Sequence, residues 1–133
     1  MIQKKSVLLV EDDADLRFAV VDALREEGYA VTAASNGKEA IDRLRSDTPC
    51  VVLLDMRMPV MNGIEFRRAQ LADRRMARVP VVSFSASDTE QAEAQSLGIS
   101  MSLSKPVDLD RLLEIVAAHC DEQAVAPSAA GAR

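Results

Sequence analysis

Aromatic side chains are scarce in this sequence: they supply 3% of it, with no tryptophan and a single tyrosine. So few rings cannot clasp a flavin, and the core has to be built from Val, Leu, Ile, Ala and Met. No apolar run approaches the ~20 residues that a membrane-spanning helix needs. The polar start, Met1 to Ser6, is not followed by a hydrophobic stretch of signal-peptide length, so the expected location is cytoplasmic. Positive charge is also in deficit, with a formal net charge of −5, which excludes broad electrostatic attraction to nucleic acid. Histidine occurs once, as His119 near the end of a helical pattern. With no serine or cysteine nucleophile motif to serve, it reads as a surface group. The two cysteines, Cys50 and Cys120, lack metal-ligand spacing and are expected to be reduced, partly buried thiols.

What is present is aliphatic and periodic. The 133 residues suit one domain, and a hydrophobic content of 48% is enough for a proper core. Apolar runs at 7–10, 30–34, 51–54, 81–84 and 99–103 alternate with helical patterns at about 14–27, 37–48, 64–74, 89–97 and 109–119. The first helix carries Leu16, Ala19, Val20, Ala23 and Leu24 on one face and stops at Gly28. Asn36-Gly37 opens the second helix. The run at 51–54 is apolar throughout, as in a strand covered on both faces. Ile99 to Leu103 alternates with serine like an edge strand. The fourth helix offers mostly Ala92, Ala94 and Leu97, so packing should hold it loosely.

Five strands alternating with five helices predict an α/β domain with a parallel sheet and right-handed crossovers. Chemistry then belongs at the carboxyl ends of the strands, where the strand order reverses. In the order 2-1-3-4-5 that point lies between the first and third strands. The first ends in Glu11, Asp12 and Asp13, and the third ends in Asp55. Lys105 follows the fifth. Asp13 is better placed to cap the first helix than to act as a third acid. Converging carboxylates repel one another and raise their own pKa values. A hard divalent cation with oxygen ligands resolves this, and Mg²⁺ suits a site that also receives a phosphoryl group.

LLVEDD at 8–13, LLDMRMPVMNG at 53–63, SFSA at 83–86 and SKP at 104–106 together resemble the receiver domain of bacterial two-component response regulators. The resemblance spans residues 6 to 120. It implies a flavodoxin-like (βα)5 sandwich that accepts a phosphoryl group from a sensor histidine kinase or a histidine phosphotransfer protein. Asp55 matches the phosphoacceptor. Asp12 matches the nearer Mg²⁺ ligand, Glu11 one acting through water, and the Arg57 carbonyl the remaining protein ligand. Lys105 matches the cation for a phosphoryl oxygen, Ser85 the switch hydroxyl and Ala86 its small neighbour. The resemblance also implies a cis Lys105–Pro106 bond, as is usual in the family.

By the same resemblance the domain catalyses only its own phosphorylation and dephosphorylation. It acts on a downstream protein through its fourth helix, fifth strand and fifth helix, with a homodimer as one option and neither nucleic acid nor membrane as a direct partner. Residues 1–120 form the receiver. Residues 121–133, rich in Ala, Pro and Ser, read as a tail or linker. A domain that stands alone and one that belongs to a longer regulator both remain open readings.

The chain departs from the family at Ser102, where an aromatic is common. This shifts the expected signalling movement to the loop after Ser85 and to the fourth helix. Arg57 and Ser87 flank the entrance, where the family tunes its rates. Three other functions compete. A phosphohydrolase working through an aspartyl phosphate commonly has a carboxylate two residues after its nucleophile, where this chain has Arg57. An FMN carrier would not place acids after the first strand. An interaction module that is never phosphorylated gives no reason for the complete set of acids and lysine.

Overall fold

The computed structural model of the protein describes residues 5–58 and 60–125, with side chains through residue 121. The readings made for Met1 to Lys4, for Pro59 and for the stretch from residue 126 lie outside the described residues. The chain alternates strictly: β1 (Ser6–Val10), α1 (Ala14–Glu26), β2 (Ala30–Ala34), α2 (Gly37–Ser46), β3 (Val51–Asp55), α3 (Gly63–Leu71), a 3-10 turn (Met76–Arg78), β4 (Val81–Ser85), α4 (Asp88–Ser96), β5 (Met101–Ser104) and α5 (Leu109–Val125). All pairings are parallel, in the order β2-β1-β3-β4-β5. This is the flavodoxin-like order expected from the sequence.

Strand side chains point alternately to opposite faces, and that divides the core in two. Leu8, Val10, Val52 and Leu54 pack with Ala40, Ile41 and Leu44 of α2 and Phe66 of α3. Val7, Leu9, Val51 and Leu53 pack on the other face with Val20 and Leu24 of α1 and Leu112 and Val116 of α5. β3 is buried at every position, as its unbroken apolar run requires.

Several boundaries differ from the periodicity, each for a local reason. α3 stops at Leu71, where Asp73 turns its carboxylate on the backbone amides of Arg75 (2.9 Å) and Met76 (3.1 Å) in the turn that leads into a separate 3-10 segment. Ile99 is buried but does not start β5. Its amide closes α4 by donating to the Ala94 carbonyl at 3.0 Å, around Gly98 at φ +82°. α5 continues past His119 to Val125, because Asp121 to Val125 are helix-compatible and only the approach to Pro127 disfavours helix.

α4 is held by polar groups at its C-terminal end. The Arg67 guanidinium donates to the Leu97 carbonyl (3.0 Å) and to the Gln70 side chain (2.8 Å). Gln70 in turn donates to the carbonyls of Met76 (2.9 Å) and Val79 (3.0 Å).

The cysteines overturn an expectation. Cys50, just before β3, and Cys120, on α5, form a disulfide with Cα atoms 5.3 Å apart. Residues 70 apart in sequence show no pairing signal, but α5 packs over the start of β3 and brings the two thiols together.

Candidate functional site

Strand register assembles the site. Val10 pairs with Leu54 and Asp55 with Phe84, so Glu11, Asp55 and Ser85 emerge side by side at one rim of the sheet. Ser85 pairs with Ser104, which puts Lys105 beyond the next strand, its amide donating to the Ser85 carbonyl at 2.9 Å. Glu11, Asp12 and Asp55 offer carboxylate oxygens that all lie within 4.8 Å of one another. Glu11 and Asp55 are buried, whereas Asp12 is exposed.

The Lys105 ammonium lies 3.2 Å from Asp55 Oδ1 and 3.8 Å from Glu11 Oε1. Burial opposes its charge, yet Asp55 and Glu11 outweigh that and hold its pKa above the ordinary lysine value. One lysine cannot neutralise the group. Glu11 is pushed up to about 8, first by burial and then by its contact with Asp55, while the Asp13 amide, donating to Glu11 Oε2 at 3.1 Å, pulls it down. Glu11 Oε1 is buried without a hydrogen-bond partner, and so is Ser85 Oγ. Such groups are costly unless something else completes them.

Asp13 caps α1 as expected, accepting from the amides of Asp15 (2.9 Å) and Leu16 (3.1 Å). Arg57 reaches Asp55 through its backbone, its amide donating to Oδ1 at 3.2 Å. The Arg57 side chain is 82% exposed, yet its Nε donates to Glu90 at 2.9 Å, so it is an ion-paired cation and not a freely solvated one. Ser87 caps α4, its hydroxyl accepting from the Glu90 amide at 3.2 Å. The Lys105–Pro106 bond is cis.

Two contributors escaped the sequence reading. Arg17 donates back to the carbonyls of Glu11 (2.9 Å) and Asp12 (3.3 Å), and its spacing carried no signal. Glu90 was legible in principle, since Ser87-x-x-Glu90 is a capping-box spacing.

Gly63 packs against the backbone that follows Asp55, its amide donating to the Met56 carbonyl at 3.2 Å. A Cβ there would sit 2.7 Å from Met56 Cα and 2.9 Å from the Asp55 carbonyl oxygen, both backbone atoms that cannot step aside. Gly63→Ala is therefore expected to cost about 2 kcal/mol or more of stability, read from urea unfolding. An unchanged midpoint would refute the clash.

A doubly wound parallel sheet with a buried aspartate, a flanking acidic pair and a lysine at its strand-order reversal defines a class of small α/β phosphoacceptor-like domains. The family model described as the response regulator receiver domain matches residues 7–117. Sporulation initiation phosphotransferase F of Bacillus subtilis is 30% identical over 116 residues, covering 86% of this chain and 93% of that one. The receiver domain of a sensor histidine kinase of Pseudomonas aeruginosa, solved with magnesium in its active-site cleft, superposes with a TM-score of 0.82 at 26% identity. That match covers 88% of this chain and 98% of the other. A chain of the Saccharomyces cerevisiae co-crystal of the phosphotransfer protein Ypd1 with the Ssk1 receiver domain gives 0.83 at 25% identity, covering 93% and 94%. The chain belongs to the response regulator receiver domain family of two-component signalling. It spans only 27% to 52% of several transcriptional regulators that it also matches.

Proposed function

We propose that this domain takes a phosphoryl group onto Asp55 from a phosphohistidine donor and uses it as a transient signal. The observation that carries the reading is the buried Asp55 carboxylate, 3.2 Å from the Lys105 ammonium and in contact with a second buried acid, Glu11. In the transfer an Asp55 oxygen forms a bond to phosphorus as the P–N bond of the donor breaks, its electron pair returning to the ring nitrogen. Lys105 stabilises the negative charge on the moving group. The product is a mixed anhydride, which water hydrolyses to reset the domain. Its only chemistry is thus its own phosphorylation and dephosphorylation.

The residues fit Mg²⁺. An all-oxygen set with an unpartnered buried Glu11 Oε1 is the donor chemistry of a hard divalent cation. Asp12, Asp55 and the Arg57 carbonyl would hold it, with Glu11 behind a water. When bound, the ion offsets charge on the phosphoryl oxygens.

Ser85 Oγ, buried and unpartnered, is the hydroxyl available to a phosphoryl oxygen. Ser102 is bonded to Ser83, their hydroxyls 2.5 Å apart. This supports a switch that spares β5 and works through the loop after Ser85 and α4. The output surface is the α4, β5 and α5 face, whether its partner is another protein or a second copy. Phe18, 75% exposed on α1 next to Arg17, supports α1 as the contact for a histidine kinase or phosphotransfer protein. No described helix is long and apolar enough to cross a membrane, which is compatible with a cytoplasmic location.

Incubation with acetyl phosphate and Mg²⁺, followed by intact mass, tests the reading. One acid-stable, base-labile phosphoryl group is expected on the wild type and none on Asp55→Asn. Continuous phosphate release from many phosphoesters would instead mark a hydrolase.

A further inference from the structure

Glu90 is a buried carboxylate for which the phosphoryl chemistry has no use. In α4 the only buried side chains are Glu90 and Ala94, so the first turn of this helix is attached through a charged group. The two Glu90 oxygens take donors from two different loops. Oε1 accepts from the Ala86 amide at 2.9 Å and Oε2 from Arg57 Nε at 2.9 Å. Both loops are anchored at the site: Arg57 donates its own amide to Asp55, and Ala86 follows the unpartnered Ser85 hydroxyl. An ordinary capping box would return the carboxylate to the amide of the cap residue, Ser87. Here it reaches one residue further back, to Ala86.

A phosphoryl group on Asp55 brings about two negative charges and several acceptor oxygens to this rim. The Arg57 guanidinium and the Ala86 amide are two donors on the flanking loops, and Glu90 already holds both. We propose that Glu90 is a positioning residue, an internal anion that engages Arg57 and Ala86 in the unphosphorylated domain. A phosphoryl group on Asp55 competes for these donors and so frees the first turn of α4. The proposal rests on Asp55 being the phosphoacceptor. It adds the element by which phosphorylation is read out, and it gives Arg57 a role in holding the resting state.

The test uses the full chain with acetyl phosphate and Mg²⁺. It compares wild type, Glu90→Gln, Glu90→Asp, Arg57→Ala and the Arg57→Ala/Glu90→Gln double variant. Phosphoryl uptake is followed by intact mass and the amides of residues 88–96 by hydrogen exchange. Glu90→Gln keeps the shape and drops the charge. It should take up label about fivefold faster at low donor concentration, the scale of a single ion pair. It should also show, unphosphorylated, the faster exchange in the first turn of α4 that wild type shows only when phosphorylated. Glu90→Asp, which restores the charge, should bring uptake back toward wild type. In the Arg57→Ala background the Glu90→Gln gain in uptake should vanish, whereas a purely structural cap would act equally in both backgrounds.

Arg57→Ala changes an exposed side chain and by itself should speed exchange in the same turn, so the proposal remains open to refutation even if Glu90→Gln fails to fold. Label on wild type with unchanged uptake and exchange in Glu90→Gln and Arg57→Ala overturns the proposal alone. No label on wild type overturns it together with the phosphoacceptor reading.

Discussion

Replacing both Cys50 and Cys120 with Ala, or reducing the bond between them, is expected to lower the unfolding free energy by about 4 kcal/mol. The bond closes a loop of residues 70 apart in sequence, and the entropy that this removes from the unfolded chain sets the size of the effect. A domain of this length has only about 5–15 kcal/mol in total, so the urea midpoint should fall by a large fraction. The comparison is urea unfolding with and without reductant. Identical midpoints would show that the bond contributes nothing. Phosphoryl uptake should survive, because Cys50 precedes β3 whereas Asp55 ends it, a full strand away. In a reducing compartment the stability that matters is that of the opened form.

Magnesium affinity should rise with pH up to about pH 8, because a neutral Glu11 one water away from the ion supports it less well than the carboxylate does. Glu11 is pushed up to about 8 by burial and by Asp55, well above its ordinary 4.5. The sign for stability follows from a raised acid. The neutral side chain is tolerated in the fold, so its contribution is complete below about pH 4.5 and is lost as pH rises through about 8. Metal-free protein should therefore become less stable between pH 5 and 8, and Mg²⁺ should restore it most at the upper end. Titration calorimetry at pH 6, 7 and 8 measures the slope, and Glu11→Gln should flatten it. A wild-type affinity that does not change with pH would contradict the burial argument.

The strands and the acids were legible because each obeys a local rule. Val51 to Leu54 has no polar break, so both its faces must be covered. Glu11 and Asp55 stand directly after apolar runs, and parallel pairing of neighbours brings them together. What the sequence concealed depends on approach in three dimensions. Cys50 and Cys120 meet only because α5 lies over the start of β3. Asp73 bonds the turn that follows α3 through its side chain, and periodicity ignores such bonds. The ion pair of Arg57 with Glu90 left no trace because the two residues are distant in sequence and Glu90 is buried in a helix with almost no apolar signal.

The bonds from Arg67 to Leu97 and from Gln70 to the turn below β4 fasten one end of α4 to the body of the domain. A rod fixed at its far end pivots; it does not slide along its axis. A binding protein resting on this helix would then meet a changed tilt with an unchanged register, and discrimination between the two signalling forms would be angular.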